Sequence, residues 1–328
     1  MKTPTSERPT STASLRGKRI LVTGGMGLIG RNLCEDLRSR GYDVSAVDRK
    51  EGDLIELAAA RALFARQRPQ VLVHLAALVG GIHANSTRKA EFYEVNALIN
   101  THVVLAAREA GVDVVHAMGT GCAYPKRLEA DLLREEDFLD GIPEPTNDAY
   151  AYAKRGLLVH LEAQREQYGI PYTYMIPANI FGPHDNFHPR FSHVVPGLIQ
   201  RFLRAAAEGR EEVEIWGTGE VERDFLYIAD CTDALHTIMA SGGTGVFNIS
   251  SGRRHTIREL AATIAEETGF RGRLVFNTAY PDGQRTRVMS TTRMDALGWR
   301  PKHSLREGIR KTIQWCKENP DRWMTPGS

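Results

Sequence analysis

Arg19-Ile-Leu-Val-Thr23 is a short apolar run that ends abruptly on glycine, and glycine recurs at positions 24, 25, 27 and 30. An apolar run of this length, bounded by glycines, reads as a strand buried on both faces. The stretch from Leu28 to about Arg40 reads as a helix stopped by Gly41. The unit then recurs. Strands are expected at Asp43–Asp48, Val71–Leu75, Asp113–Met118 and Tyr172–Ile176, with helices at Leu54–Arg66, Glu91–Glu109 and Tyr150–Tyr168 between them. Parallel strands need crossover helices, so this rhythm predicts an α/β chain with a doubly wound parallel sheet.

From Phe181 the rhythm breaks. Gly182-Pro-His-Asp-Asn-Phe-His-Pro189 reads as loop, and shorter elements follow: a strand at Val213–Trp216, helices near Asp230–Ala240 and Thr256–Thr268, and a strand at Val246–Ile249. The division expected is a sheet domain over 18–180, with a returning segment near 225–250, and a smaller carboxy-terminal lobe from 181–224 and 251–328. Residues 1–17, rich in Ser, Thr and Pro without an apolar core, read as a disordered tail and not as a secretory signal.

Composition narrows the function. Lys and Arg total 42 against 40 for Asp and Glu, so no electrostatic footprint for nucleic acid or membrane is expected. Four scattered cysteines, with neither CxxC nor zinc spacing, point to a reducing cytoplasm. His184, His188 and His193 are irregularly spaced and lack a matching thiolate or carboxylate set, so no metal is expected.

The glycine turn between strand and helix has its own chemistry. Backbone N–H groups at Gly24, Gly27, Leu28, Ile29 and Gly30, together with a helix N-terminus, suit a dinucleotide pyrophosphate. This makes the sheet Rossmann-type. At the end of the second strand, Asp48 suits a ribose 2′-hydroxyl and so NAD(H), while Arg49 or Lys50 suits a 2′-phosphate and so NADP(H); the residues leave both open. Asp53, Leu54 and Ala76 are placed to flank the adenosine and the dinucleotide backbone.

Tyr150 and Lys154 are four residues apart on an expected helix, which sets them on one face. A free phenol, with a pKa of about 10, is a poor base near neutrality. A neighbouring ammonium lowers that value, and the pair then suits proton exchange with a carbonyl or alcohol beside a nicotinamide. The fourth strand runs into Met118-Gly-Thr-Gly-Cys-Ala-Tyr-Pro125, which brings Thr120 and Cys122 to the same end of the sheet. Tyr152 faces elsewhere and reads as structural.

With these motifs, and with Leu75-Ala-Ala-Leu-Val-Gly-Gly-Ile-His-Ala-Asn85 and Asp185-Asn-Phe-His-Pro189, the chain resembles the extended short-chain dehydrogenase/reductase family. Within it, the sequence is most similar to the GDP-4-keto-6-deoxymannose 3,5-epimerase/4-reductases. The resemblance implies Cys122 and His193 as the epimerisation acid/base pair and Thr120, Tyr150 and Lys154 as the reductase triad. It implies His83, Asn179, Arg201, Trp216, Arg223 and Arg287 as contacts to a GDP-linked deoxysugar. It favours NADP(H), with NAD(H) possible through Asp48. A homodimer built on the helices Glu91–Glu109 and Tyr150–Tyr168 is implied as well. Thr23-Gly-Gly and Asp48 also resemble NAD-retaining nucleotide-sugar epimerases such as GDP-mannose 3,5-epimerase, which implies a second reading: a non-reducing epimerase, or a relative acting on another deoxysugar in a specialised pathway.

Overall fold

The structure, a computed structural model, describes residues 15–126, 132–189, 191–280, 282 and 286–324, without the side chains of residues 82 and 83. In chain order the first half comprises β1 (Arg19–Thr23), α1 (Leu28–Ser39), β2 (Asp43–Val47), α2 (Leu57–Gln67), β3 (Val71–His74), α3 (Ile82–Thr87), α4 (Lys89–Glu109), β4 (Val114–Met118), α5 (Asp148–Tyr168) and β5 (Tyr172–Pro177). The second half comprises β6 (Asn179–Phe181), α6 (Val194–Ala207), β7 (Glu212–Trp216), β8 (Glu222–Arg223), β9 (Phe225–Tyr227), α7 (Ile228–Ser241), β10 (Gly245–Ile249), β11 (His255–Thr256), α8 (Ile257–Thr268), β12 (Arg273–Asn277), β13 (Thr286–Arg287), α9 (Thr292–Ala296) and α10 (Leu305–Glu318).

Six strands form one parallel sheet in the order β10-β5-β4-β3-β1-β2, the doubly wound architecture that the alternation predicts. Side chains alternate faces along each strand. Ile20 and Val22 therefore meet Leu33 and Leu37 of α1 and Leu235 of α7, while Leu21 and Leu72 meet Phe64, Val103 and Leu157 of α2, α4 and α5. Both faces are sealed, and truncating a buried ring such as Phe64 to alanine would cost about 3–5 kcal/mol. The strand order reverses between β1 and β3, and the crevice at such a reversal is where open α/β sheets bind ligands.

Several boundaries move. The second helix begins at Leu57, not Leu54, because Asp53 first makes a turn in which its carboxylate accepts from Ile55 N at 3.2 Å and its carbonyl from Glu56 N at 3.0 Å. Most of the expected disordered tail lies outside the described residues. The described fold starts ahead of Lys18, since Leu15 is buried and accepts Lys18 N at 3.2 Å.

Beyond β5 the chain builds small parallel pairs, β6 with β9 and β7 with β12, and a three-stranded group β11-β8-β13. Its last α-helix, α10, starts from a capping box in which Ser304 and Glu307 satisfy each other's backbone N–H groups.

Candidate active site

The glycine turn is shaped for close approach. Gly24 has φ 70°, and a Cβ there would stand 2.8 Å from Ala76 N, so neither the conformation nor the space admits a side chain. At Gly30 a Cβ would collide with the Gly24 carbonyl, which keeps α1 tight against the strand end. Gly25 N donates to Val47 O at 3.0 Å, tying the turn to the end of β2. The N-cap of α1 is Gly27, which has no side chain to cap the first turn. By helix geometry the N–H groups of Leu28, Ile29 and Gly30 lack intrahelical partners and point along the axis toward the crevice. A pyrophosphate fits this cradle, with the helix dipole favouring its charge.

At the end of β2 the half-buried Asp48 carboxylate accepts from Lys50 N at 2.7 Å, and this bond first, then Glu51, holds it below its usual pKa. Arg49 donates through Nε and Nη2 to one oxygen of Asp53, Oδ2, at 3.1 and 2.8 Å. An anionic acceptor and a guanidinium thus stand side by side where the adenosine ribose would lie. Leu54 is buried in the core, and Ala76 N donates to Thr23 Oγ1 at 3.4 Å.

Tyr150 and Lys154 lie one turn apart on α5. Lys154 is 1% exposed, and its Nζ donates to Met118 O at 3.0 Å. Burial lowers its pKa to about 8. Tyr150 is held well above the usual phenol range, first by burial and then by Cys122 nearby, against a hydrogen bond with Thr120. Phe92 packs edge-on against its ring at 6.3 Å. Thr120 Oγ1 also accepts Cys122 N at 3.3 Å and so caps the 3-10 turn Gly121–Ala123. Thr120, Cys122 and Tyr150 therefore form one group, with Lys154 beneath it. Tyr152 is exposed, with the Arg155 guanidinium 5.9 Å over its ring.

His193 is the exposed N-cap residue of α6, and desolvation lowers its pKa. Its neighbour Ser192 approaches Gly81 at the head of α3. His184 and His188 pack on Trp315 and Phe191, with ring centroids 5.1 and 4.6 Å apart. Among the described residues no group of three or more His, Cys, Asp or Glu could hold a metal ion.

The remaining candidates come from the carboxy-terminal elements. Arg223 and Arg287 are register partners on β8 and β13. Burial, then Arg287, lowers the Arg223 pKa to about 10, and Arg287 Nε is buried without a hydrogen-bond partner. Asn179 donates through N and Nδ2 to Asp224 O, at 3.1 and 2.8 Å, which ties β6 beside Arg223. Trp216 is 58% exposed, and the Arg201 guanidinium lies 5.7 Å from its ring. His83 sits on α3, and its side chain lies outside the described residues.

Three contributors escaped sequence reasoning. Tyr280 stacks on Trp216 at 4.6 Å and 19°, and Asp282 accepts from Thr218 N at 3.0 Å to hold that stack in place. Asp224 is 1% exposed, and its carboxylate accepts from the Ser250 and Ser251 hydroxyls and the Ser251 and Gly252 N–H groups. That cage clamps the segment after β10 to the end of β8, which carries Arg223. Arg223-Asp224, Tyr280 and Asp282 are visible in the sequence, but their partners are far away along the chain.

A doubly wound sheet, a glycine cradle at its reversal and a Tyr-x-x-x-Lys helix beside it define a nicotinamide-dinucleotide enzyme of the extended short-chain dehydrogenase/reductase type. The chain belongs to the NAD dependent epimerase/dehydratase family, whose sequence model matches residues 20–250. It is therefore an NAD(P)-dependent enzyme. It is 40% identical to a probable GDP-L-fucose synthase 1 of Oryza sativa subsp. japonica, over 93% of each chain. It is 37% identical to the GDP-L-fucose synthase of Escherichia coli strain K12, over 93% of this chain and 98% of that one. Its fold matches a GDP-L-fucose synthetase of Naegleria fowleri bound to NADP, with TM-score 0.86, 29% identity and 98% of each chain covered.

Proposed function

We propose that this protein converts a GDP-4-keto-6-deoxyhexose by epimerisation at C3 and C5 followed by reduction at C4. The observation that carries the reading is the grouping of Thr120, Cys122 and Tyr150 over Lys154, together with an arginine pair suited to a diphosphate, of which Arg287 donates to Tyr124 O at 3.4 Å, two residues beyond Cys122. The likeness to GDP-L-fucose synthases along nearly the whole chain supports it.

A C4 ketone acidifies the protons at C3 and C5, so one group must remove a proton and another return it from the opposite face. His193, whose pKa desolvation lowers, serves as the base, and the Cys122 thiol as the acid. Thr120 and Tyr150 hydrogen-bond the oxygen at C4 while negative charge develops on it. When bound in the crevice, the reduced nicotinamide dinucleotide supplies the hydride. Burial keeps the Tyr150 phenol protonated at neutral pH, the state in which it can give its proton to the C4 oxygen. Lys154, still largely an ammonium at pH 7, holds the phenol and the ribose in place. Arg223 and Arg287 clamp the diphosphate by charge-assisted hydrogen bonds, and Trp216 with Tyr280 offers a stacking surface to the nucleotide end.

The protein acts as a homodimer in this proposal. Exposed apolar side chains on α4 and α5, among them Tyr93, Leu98, Val159 and Tyr168, support pairing through those helices. Four free cysteines support a reducing cytoplasm, and no helix among the described residues is long and apolar enough to cross a membrane. The division into a dinucleotide domain, 18–180 with a return near 225–250, and a sugar-nucleotide lobe is part of the same proposal.

The test is NMR of products formed from GDP-4-keto-6-deoxymannose in D2O with each reduced cofactor. Deuterium at C3 and C5 together with net cofactor oxidation is expected. Exchange without oxidation would replace the reading with that of a non-reducing epimerase.

A further inference from the structure

A chain of four buried polar groups runs beneath the site and takes no part in the chemistry above. Thr23 ends β1 and His74 ends β3, and the two are register partners. His74 Nδ1 lies 2.8 Å from Thr23 Oγ1, and His74 Nε2 lies 3.1 Å from Asn100 Oδ1 on α4. Asn100 Nδ2 donates at 3.2 Å to the carbonyl of Ala153 on α5, the residue before Lys154. Thr23 and His74 are fully buried and Asn100 is 3% exposed.

Only one arrangement of hydrogens satisfies the chain. The Ala153 carbonyl can only accept, so the Asn100 amide faces it with its NH2 and presents Oδ1 to His74. His74 must then carry its proton on Nε2, which leaves Nδ1 bare. The Thr23 hydroxyl must donate to that nitrogen, and its oxygen is left to accept Ala76 N at 3.4 Å. Burial, and then the Lys154 charge, keep the ring neutral. A fully satisfied buried polar chain rigidifies a core and singles out one arrangement, where apolar contacts tolerate sliding.

We infer that Thr23, His74 and Asn100 are positioning residues that lock the strand end preceding the dinucleotide turn to the helix carrying Tyr150 and Lys154. One end of the chain is the residue before Gly24, where the cradle begins. The other is the carbonyl before Lys154. The distance from cradle to phenol is thereby set through three hydrogen bonds. The tautomer is a property of the chain alone; only the kinetic consequence rests on the proposed reduction.

The test pairs Thr23→Val, which keeps the shape and removes the hydroxyl, with Thr23→Ser, which keeps the hydroxyl, and adds Asn100→Leu. Nitrogen-15 NMR of histidine-labelled protein should show the neutral Nε2–H tautomer for His74 at pH 7, and Asn100→Leu should disturb that signature. In steady-state reduction of the 4-keto sugar, Thr23→Val and Asn100→Leu should lower kcat by about ten- to a hundredfold with little change in substrate KM, the cost of misplaced reacting groups. Thr23→Ser should restore most of kcat. A protonated or Nδ1–H His74, or wild-type kcat in Thr23→Val, would overturn the inference. If the wild-type protein reduces no 4-keto sugar, the proposed reaction fails, and the tautomer still decides the positioning chain.

Discussion

Arg223 and Arg287 stand opposite each other on neighbouring parallel strands, two guanidiniums in register with burial already disfavouring the charge on Arg223. Such a pair is costly unless an anion joins it. Arg287→Ala should weaken GDP binding by about ten- to a hundredfold, as expected for loss of a charge-assisted hydrogen bond. It should raise the KM for the nucleotide sugar more than it lowers kcat. Calorimetric titration with GDP checks this, and tight GDP binding by the variant would exclude the arginine pair from the diphosphate site.

Cys122 and Tyr150 should separate the two half-reactions. Cys122→Ser should reduce solvent deuterium incorporation at C3 and C5 by at least about a hundredfold, within the range for a lost acid/base group. Tyr150→Phe should slow cofactor oxidation by a similar factor and exchange much less, because Thr120 still holds the C4 oxygen. The product NMR spectrum and the 340 nm absorbance report the two steps independently.

The alkaline limb of kcat/KM should fall near pH 8. Lys154 has its pKa lowered to about 8 by burial and is cationic below that value. Its charge disappears as pH rises, and with it the support for the Tyr150 phenol and the ribose. Stability moves the other way. Between about pH 8 and the ordinary lysine value of about 10.4 the unfolded chain binds more protons, so this group makes the fold more stable as pH rises. Kinetics and urea melts from pH 7 to 9.5 resolve the opposite trends.

Acid should destabilise the fold below about pH 6.5, the ordinary histidine value. Burial lowers His74 to about 3 and His116 to about 4, so both stay neutral in the native state. The unfolded chain takes up protons first, and the stability these groups contribute is whole above the unfolded pKa and declines as pH falls through this window. His116, bonded through Nδ1 to Thr173 Oγ1 at 2.8 Å, is the cleaner probe because it lies outside the site. His116→Gln should flatten the pH dependence of the urea midpoint between pH 6.5 and 5.

The two cofactor forms should be separable at Asp48 and Arg49. Asp48→Ala should weaken NADH binding by about tenfold, as for a lost hydrogen bond to a charged group, and spare NADPH. Arg49→Ala should weaken NADPH and spare NADH. Fluorescence titration of the bound nicotinamide measures all four constants, and parallel losses for both forms would place the ribose elsewhere.

The first half of the molecule was legible because its signals are local. Ile20, Leu21 and Val22 are apolar without alternation since both sheet faces are covered, and Gly24 is a glycine because its φ and the nearby Ala76 permit nothing else. Past Phe181 the reading thinned. Strands of two residues such as β8 and β13 have no periodicity to detect, and α10 went unread although its capping box lies in plain view.

The order of motifs along the chain was enough to determine the doubly wound sheet, the cradle and the Tyr150/Lys154 face, because each depends on spacing within one strand, turn or helix. Tertiary structure alone decided that Arg287 faces Arg223, that Tyr280 lies on Trp216, and that Thr23 reaches Ala153 through His74 and Asn100. Those contacts join residues tens of positions apart. Their energy is realised only once the core has packed, so no local pattern records them.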